Sequence, residues 1–221
     1  MKRQLLLIAT LAISSTLFAQ SKASFGIKAG VSASTIKGEA ANTLDDLIDY
    51  TNGAFTANGR TGFFAGINAN IPVANNFSIE PSLSYGQKGY EMKGELNLKG
   101  AEFLNANAKA ALTTHYVELP VLAKANFNGF EVFAGPQVSY LAKADLRTTA
   151  GVLGFNVLNR TMDATEEFNR WDAGIKAGVG YQFKNGFNIN AAYDHGLSKV
   201  DANKNFDAYN RSFKVGIGFN F

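Results

Sequence analysis

The chain has no cysteine, only four prolines and only two histidines. Past its first residues it nowhere holds about 18 apolar residues in a row. Without cysteine there is no disulfide framework, no thiolate metal site and no lipid-modified cysteine anchor. Without a second long apolar run there is no transmembrane helix in the body of the chain. Charge of one sign is also scarce. The formal net charge is +3, and Lys2 and Arg3 supply two of those charges, so the basic balance gives no footing for nucleic acid.

What is abundant is glycine, at 22 residues, and phenylalanine, at 18. That mixture suits strands whose backbones pack closely. The first residues have the form of an export leader. Lys2 and Arg3 precede an apolar stretch from Leu5 to Ile13, and Ser14 to Ala19 offers a processing zone. The expected organisation is a signal peptide over 1–19 and one domain over 20–221.

Eight segments after the leader alternate apolar with small or polar residues, the period of a strand with two unlike faces. Phe25, Ile27, Ala29 and Val31 oppose Gly26, Lys28, Gly30 and Ser32. The same alternation recurs over 63–71, 77–85, 117–127, 130–140, 172–183, 187–194 and 212–221. No charged residue falls on the apolar faces. Short turn-forming connections at Pro72–Asn76, Asn128–Gly129 and Lys184–Gly186 alternate with long polar stretches over 35–60, 90–114, 142–170 and 199–210. Short and long connections in turn around an even number of antiparallel strands are how outer-membrane barrels are built. The sequence therefore predicts an all-β fold, an eight-stranded antiparallel up-and-down transmembrane β-barrel with four long extracellular loops and both termini in the periplasm.

A water-soluble barrel around an apolar cavity would share this period. Three features choose lipid as the outer solvent. Aromatics sort by height: Phe25, Phe77, Phe127, Phe130, Phe183, Phe187 and Phe221 lie at the short-turn ends, and Tyr85, Tyr140, Trp171 and Tyr193 at the long-loop ends. The polar face carries Lys28, Lys124, Lys176 and Lys214 against Glu80, Glu118, Glu131, Asp172 and Asp194, a nearly balanced set suited to pairing inside a narrow barrel. Finally, Val215, Ile217, Phe219 and Phe221 alternate along the closing strand in the manner of a signal for the barrel-assembly machinery. Pro81, Pro120 and Pro136 fall within predicted strands, where each removes a ladder donor, so local bulges are expected there.

The sequence resembles the outer-membrane β-barrel domain family that includes the PorT-like proteins. The resemblance rests on Phe25-Gly-Ile-Lys-Ala-Gly-Val31, Gly62-Phe-Phe-Ala-Gly66, Ile79-Glu-Pro-Ser-Leu-Ser-Tyr85 with Lys88-Gly89, and Tyr116-Val-Glu-Leu-Pro-Val-Leu122. Ala134-Gly-Pro136, Ser139-Tyr140, Asp172-Ala-Gly174 and Lys214-Val-Gly-Ile-Gly-Phe219 complete it. It implies fold and location, a family that tolerates prolines at those strand positions, and a link to protein secretion through the family's named member.

Candidate chemistry is thin. His115 and His195 stand near loop-side strand ends. Asp194 precedes His195, but adjacent strand residues point to opposite faces. Ser198 with His115 could in principle join a rim site for acyl chemistry. Asp45, Asp46 and Asp49 lack the spacing of a calcium loop and fit a short amphipathic helix with Leu44, Leu47 and Ile48 better. Glu166 and Glu167 read as solvated charges, and Gly174–Gly180 alternates within a strand rather than opening a helix. The reading is non-enzymatic, with no cofactor or metal: a scaffold whose loops bind at the surface or contact an envelope assembly. A narrow channel and an outer-membrane hydrolase or acyltransferase are the alternatives. Partners are outer-membrane lipid, the assembly machinery during biogenesis and an envelope or secretion component, with no nucleic acid.

Overall fold

A computed structural model describes residues 23–39, 46, 55–96, 106–152, 155–203 and 207–221. The leader expectation over 1–19 lies outside them. Alternating sequence becomes nine antiparallel strands: β1 (Ser24–Lys37), β2 (Phe55–Ala74), β3 (Phe77–Leu96), β4 (Ala106–Phe127), β5 (Phe130–Val152), β6 (Phe155–Asp163), β7 (Trp171–Gln182), β8 (Phe187–Lys199) and β9 (Tyr209–Asn220). Eight of them close a ring in the order β1-β2-β3-β4-β5-β7-β8-β9, and among the described residues β6 pairs with the upper part of β5 alone. Closure is made by β1 and β9, with Ile27 opposite Phe219 and Val31 opposite Val215. This is the predicted all-β, eight-stranded up-and-down barrel.

The faces follow the alternation. Ser32, Glu80, Glu118, Lys124, Asp172, Asp194 and Lys214 are buried inside, and Ile27, Ile67, Leu83, Leu119, Ile175 and Ile217 are exposed outside. Short turns join the strands at one end. At Asn128–Gly129 both residues have positive φ (54° and 97°), the mirror-image turn that matches strand twist and that Asn-Gly adopts at least cost.

Two expectations are corrected. The stretches 90–114 and 142–170 are for the most part strand rather than loop. β3, β4 and β5 run for 20, 22 and 23 residues, about twice the 9–11 that a bilayer crossing takes. Beyond Tyr85, β3 continues to Leu96, roughly 36 Å of chain at about 3.3 Å per residue. There β2 to β6 form one sheet that projects past the barrel.

The second correction concerns proline. Register shifts occur elsewhere, for example at His115/Tyr116 and at Gly59/Phe64, and not at Pro81, Pro120 or Pro136. Pro81 faces Val121, Pro120 faces Gln137 and Pro136 faces Ile175, with the register kept on either side. The ladder passes these residues by leaving pairs unmade around them, between Pro81 and Ser84 and between Pro120 and Ala123. An extra residue is not needed.

The polarity of the two faces exchanges where the strands leave the barrel. On the outer face, Tyr85, Val117 and Tyr140 form one cross-strand row. The next outward row is Gln87, His115 and Lys143. Higher still come Glu91, Lys109, Asp145 and Arg147, while Leu112, Leu141 and Ala144 gather on the inner side. Lipid requires apolar groups outside and water requires them inside. The change therefore marks the edge of the membrane.

Candidate functional site

Two features remain once the lipid face is accounted for: the filled interior and the projecting sheet. The charges of the interior come from inward-facing positions of seven strands, and β2 adds Phe64. Near the short-turn end, Glu80 accepts Lys28 and Lys124, each at 2.5 Å, and Lys124 also lies 3.3 Å from Glu131. Nearer the long-loop end, Glu118 is the hub. Lys214 lies 2.5 Å from it, Lys88 3.4 Å and Lys176 4.0 Å. Asp194 is 2.8 Å from Lys214 and 3.4 Å from Lys176, and Asp172 is 3.7 Å from Lys88. All nine inward charges named from the sequence thus lie in two clusters, each held together by its own ion pairs.

Lys88 is the member that sequence reasoning missed. It extends the even-numbered inward series Glu80, Ser82, Ser84 and Gly86 along β3, and that parity was the available signal. With it, five lysines meet five carboxylates.

These side chains span the lumen. β4 and β9 stand on opposite sides of the eight-strand ring, so the Glu118–Lys214 pair crosses its diameter. At the next level Asn210 on β9 donates to the Tyr116 hydroxyl on β4 at 3.3 Å and to Asp172 on β7 at 2.8 Å. Between the charge clusters, Phe64, Leu122, Phe133 and Ala192 pack inside, and the cavity they share with Lys28 and Lys176 is only about 50 Å³.

The long-loop mouth is covered as well. A 3-10 turn, Thr165–Glu167, brings Phe168 onto the cluster of Tyr116, Leu141 and Ala144, against which Leu112 also packs. It is tied down by the Ala144 amide, which donates to Thr165 Oγ1 at 3.0 Å, while Thr165 donates in turn to Asp163. On the far side the Asn169 amide donates to Val200 O at 2.8 Å.

The residues weighed for chemistry do not converge. Asp194 is buried on Lys214 while His195 lies outside against the Tyr193 ring, 6.1 Å between centroids. Ser198 accepts from the Ala173 amide at 2.9 Å. His115 Nδ1 lies 2.5 Å from the Tyr85 hydroxyl, and its Nε2 lies 3.6 Å from Asp145. That arrangement orients an imidazole, but it stands on the outer wall of the barrel, on β4, while His195 and Ser198 are on β8. Glu167 gives its carbonyl to the Ala202 amide. Among the described residues no group of three or more His, Cys, Asp or Glu could hold a metal. Asp45 and Asp49 lie outside the described residues, and Asp46 is in helical backbone.

A closed ring with an apolar belt, aromatic ends and a paired polar interior defines an integral outer-membrane β-barrel. The chain belongs to the outer membrane protein beta-barrel domain family, whose model matches residues 18–202, and its place is the outer membrane. No curated protein sequence matches it significantly. Among solved structures it is similar to the attachment invasion locus protein Ail of Yersinia pestis, in complex with the heparin analogue sucrose octasulfate. The two share 12% identity over 90% of this chain and 99% of that one, with a TM-score of 0.46. It is also similar to Neisserial surface protein A (13%, 90% and 99%, TM-score 0.48) and to the outer membrane protease OmpT of Escherichia coli (12%, 92% and 98%, TM-score 0.39).

Proposed function

We propose that this protein is a sealed, non-conducting and non-enzymatic barrel whose work is to hold a rigid β-platform above the cell surface for binding. The observation that carries this reading is the pairing of a plugged lumen with ordered strands beyond it. Eight strands leave space only for side chains, and here Glu118–Lys214 and Tyr116–Asn210 fill that space across the lumen. Meanwhile β2 to β6 continue as a hydrogen-bonded sheet whose outer edge at β6 is unpaired among the described residues, and Phe155 and Val157 there are 74% and 66% exposed. An open edge with apolar side chains suits addition of a partner strand.

The short turns and both termini face the periplasm in this reading, the leader is removed after Ala19, and Val215, Ile217, Phe219 and Phe221 serve as the assembly signal on β9. The PorT-like resemblance suggests one class of partner, a component of an envelope secretion assembly. Planar-bilayer recording tests the sealed lumen: purified protein gives no steps above baseline, and a reproducible unitary conductance overturns the reading in favour of a channel. Crosslinking in intact cells tests the platform. Crosslinks to an envelope partner from β6 support it, and crosslinks confined to the assembly machinery count against it.

A further inference from the structure

The outer face of the projecting sheet carries a groove that the sealed-platform reading does not use. Its volume is about 590 Å³, and Arg60, Lys109, Arg147 and Glu91 line it. Ala111, at 3% exposure, forms the floor. The one carboxylate is occupied: Lys109 lies 2.6 Å and Lys93 3.0 Å from Glu91. Glu91 thus steadies two ammonium groups at the rim and leaves the groove with a surplus of positive charge. Arg60 lays its stem across Gly89, where an added Cβ would meet its Cδ at 2.9 Å, and Gly89 shares the face of Glu91. The Arg147 Nε is turned to Asn159 Oδ1 at 3.2 Å.

The direction in which the groove looks identifies what it meets. Glu91 is on the same face of β3 as Tyr85, and Lys109 on the same face of β4 as His115. This face turns away from the barrel axis and overlooks the surrounding lipid. Gly89 and Glu91 stand roughly 13–20 Å along the strand beyond Tyr85 at about 3.3 Å per residue. Allowing for a strand tilt of about 40°, that is roughly 10–15 Å above the apolar belt. The interfacial layer of a simple bilayer is only about 5–8 Å deep on each side. A phosphodiester at the acyl boundary would sit too low, whereas a phosphorylated saccharide headgroup reaches this height.

We infer that the groove formed by Arg60, Lys109 and Arg147 binds the phosphate-bearing saccharide headgroup of an outer-leaflet glycolipid. Guanidinium forks suit phosphate oxygens in particular. Such a contact would fix the platform's orientation over the membrane, and it stands or falls apart from the conductance and crosslinking results.

The test uses the full chain in phosphatidylcholine nanodiscs, with lipopolysaccharide as the probe before and after chemical dephosphorylation. The phosphorylated form is expected to bind at least about tenfold more tightly, and Arg60→Gln/Arg147→Gln to lose about that factor, as for one or two charge-assisted hydrogen bonds. Lys109→Gln, a gentler change, is expected to lose severalfold. Arg160→Gln removes the same charge from the opposite face of the sheet, beside Thr148, and is expected to bind as wild type. Folding of each variant is checked by its heat-shifted migration on gels. Equal binding of dephosphorylated probe, undiminished binding by the folded groove variants, or an equal loss in Arg160→Gln would each overturn the inference. So would binding of soluble inositol hexakisphosphate in the absence of any binding of lipopolysaccharide, since the ligand would then be a soluble polyanion.

Discussion

Lys88 Nζ lies 3.4 Å from Glu118 Oε1, two fully enclosed charges joined across the β3–β4 pair. Glu118 is also held by Lys214 and Lys176, so it is the carboxylate on which three lysines depend. A buried ion pair is poor evidence of net stability, because desolvation offsets attraction, but breaking one leaves an uncompensated charge. Glu118→Gln is expected to destabilise the barrel by about 3–5 kcal/mol, read as the shift of the urea midpoint in lipid vesicles. Glu118→Gln/Lys214→Met should recover part of that loss. An unshifted midpoint in the single variant would mean that water reaches these lysines.

The interior was legible in the sequence as far as Tyr85 because one face had to be apolar for lipid and the other had to balance its charge. Lys28, Glu80, Lys124 and Lys214 fall where alternation puts them. Lys88 and the upper strands were hidden by the exchange of polarity at the membrane edge. On β3 the apolar series runs Phe77, Ile79, Leu83 and Tyr85, then shifts by one residue to Tyr90 and Met92. On β5 the extra residue Ala142, opposite the His115/Tyr116 step, breaks the parity as well. A reading that follows one unbroken alternation sees a loop at such points. The Phe168 cover was hidden for another reason: Phe168 reaches Tyr116 and Leu141 only through tertiary packing, and no local pattern announces it.

Phe64 is one of the few large rings inside the barrel, and glycines make room for it. A Cβ at Gly216 would stand 2.6 Å from Phe64 Cζ, and one at Gly30 2.7 Å from Cε1. Gly216→Val should therefore cost about 1–3 kcal/mol through overpacking, and Phe64→Ala in the same chain should relieve it. Additive losses in the double variant would show that the two positions do not share space.

One residue along, the side chain faces lipid. Ile217 is 55% exposed on the outer wall. Ile217→Arg should cost roughly 2–4 kcal/mol near the midplane of the bilayer, measured by reversible folding into vesicles. Gly216 and Ile217 thus fail for opposite reasons, crowding and charge. If Ile217→Arg folds as well as wild type, the assignment of faces is wrong.

The Phe168 cover is held by a latch with a titratable end. The carboxylate of Asp163 accepts the Thr165 amide at 2.9 Å and the Thr165 hydroxyl, and these bonds hold its pKa below the ordinary aspartate value. A carboxyl depressed in the folded state contributes stability above its unfolded pKa of about 3.9 and loses it as pH falls through the lower folded value. The latch should therefore be fully closed at neutral pH and loosen only below about pH 4. Asp163 is solvent-exposed, so the effect on global stability is small and the informative readout is local. Amide exchange at Ala144 and Thr165 should quicken as pH drops, relative to intrinsic rates and to amides of the barrel belt. Asp163→Asn keeps an acceptor but cannot titrate there, and it should flatten the profile. A profile unchanged by that substitution would move the pH response to another group and leave Thr165 anchored by Ala144 alone.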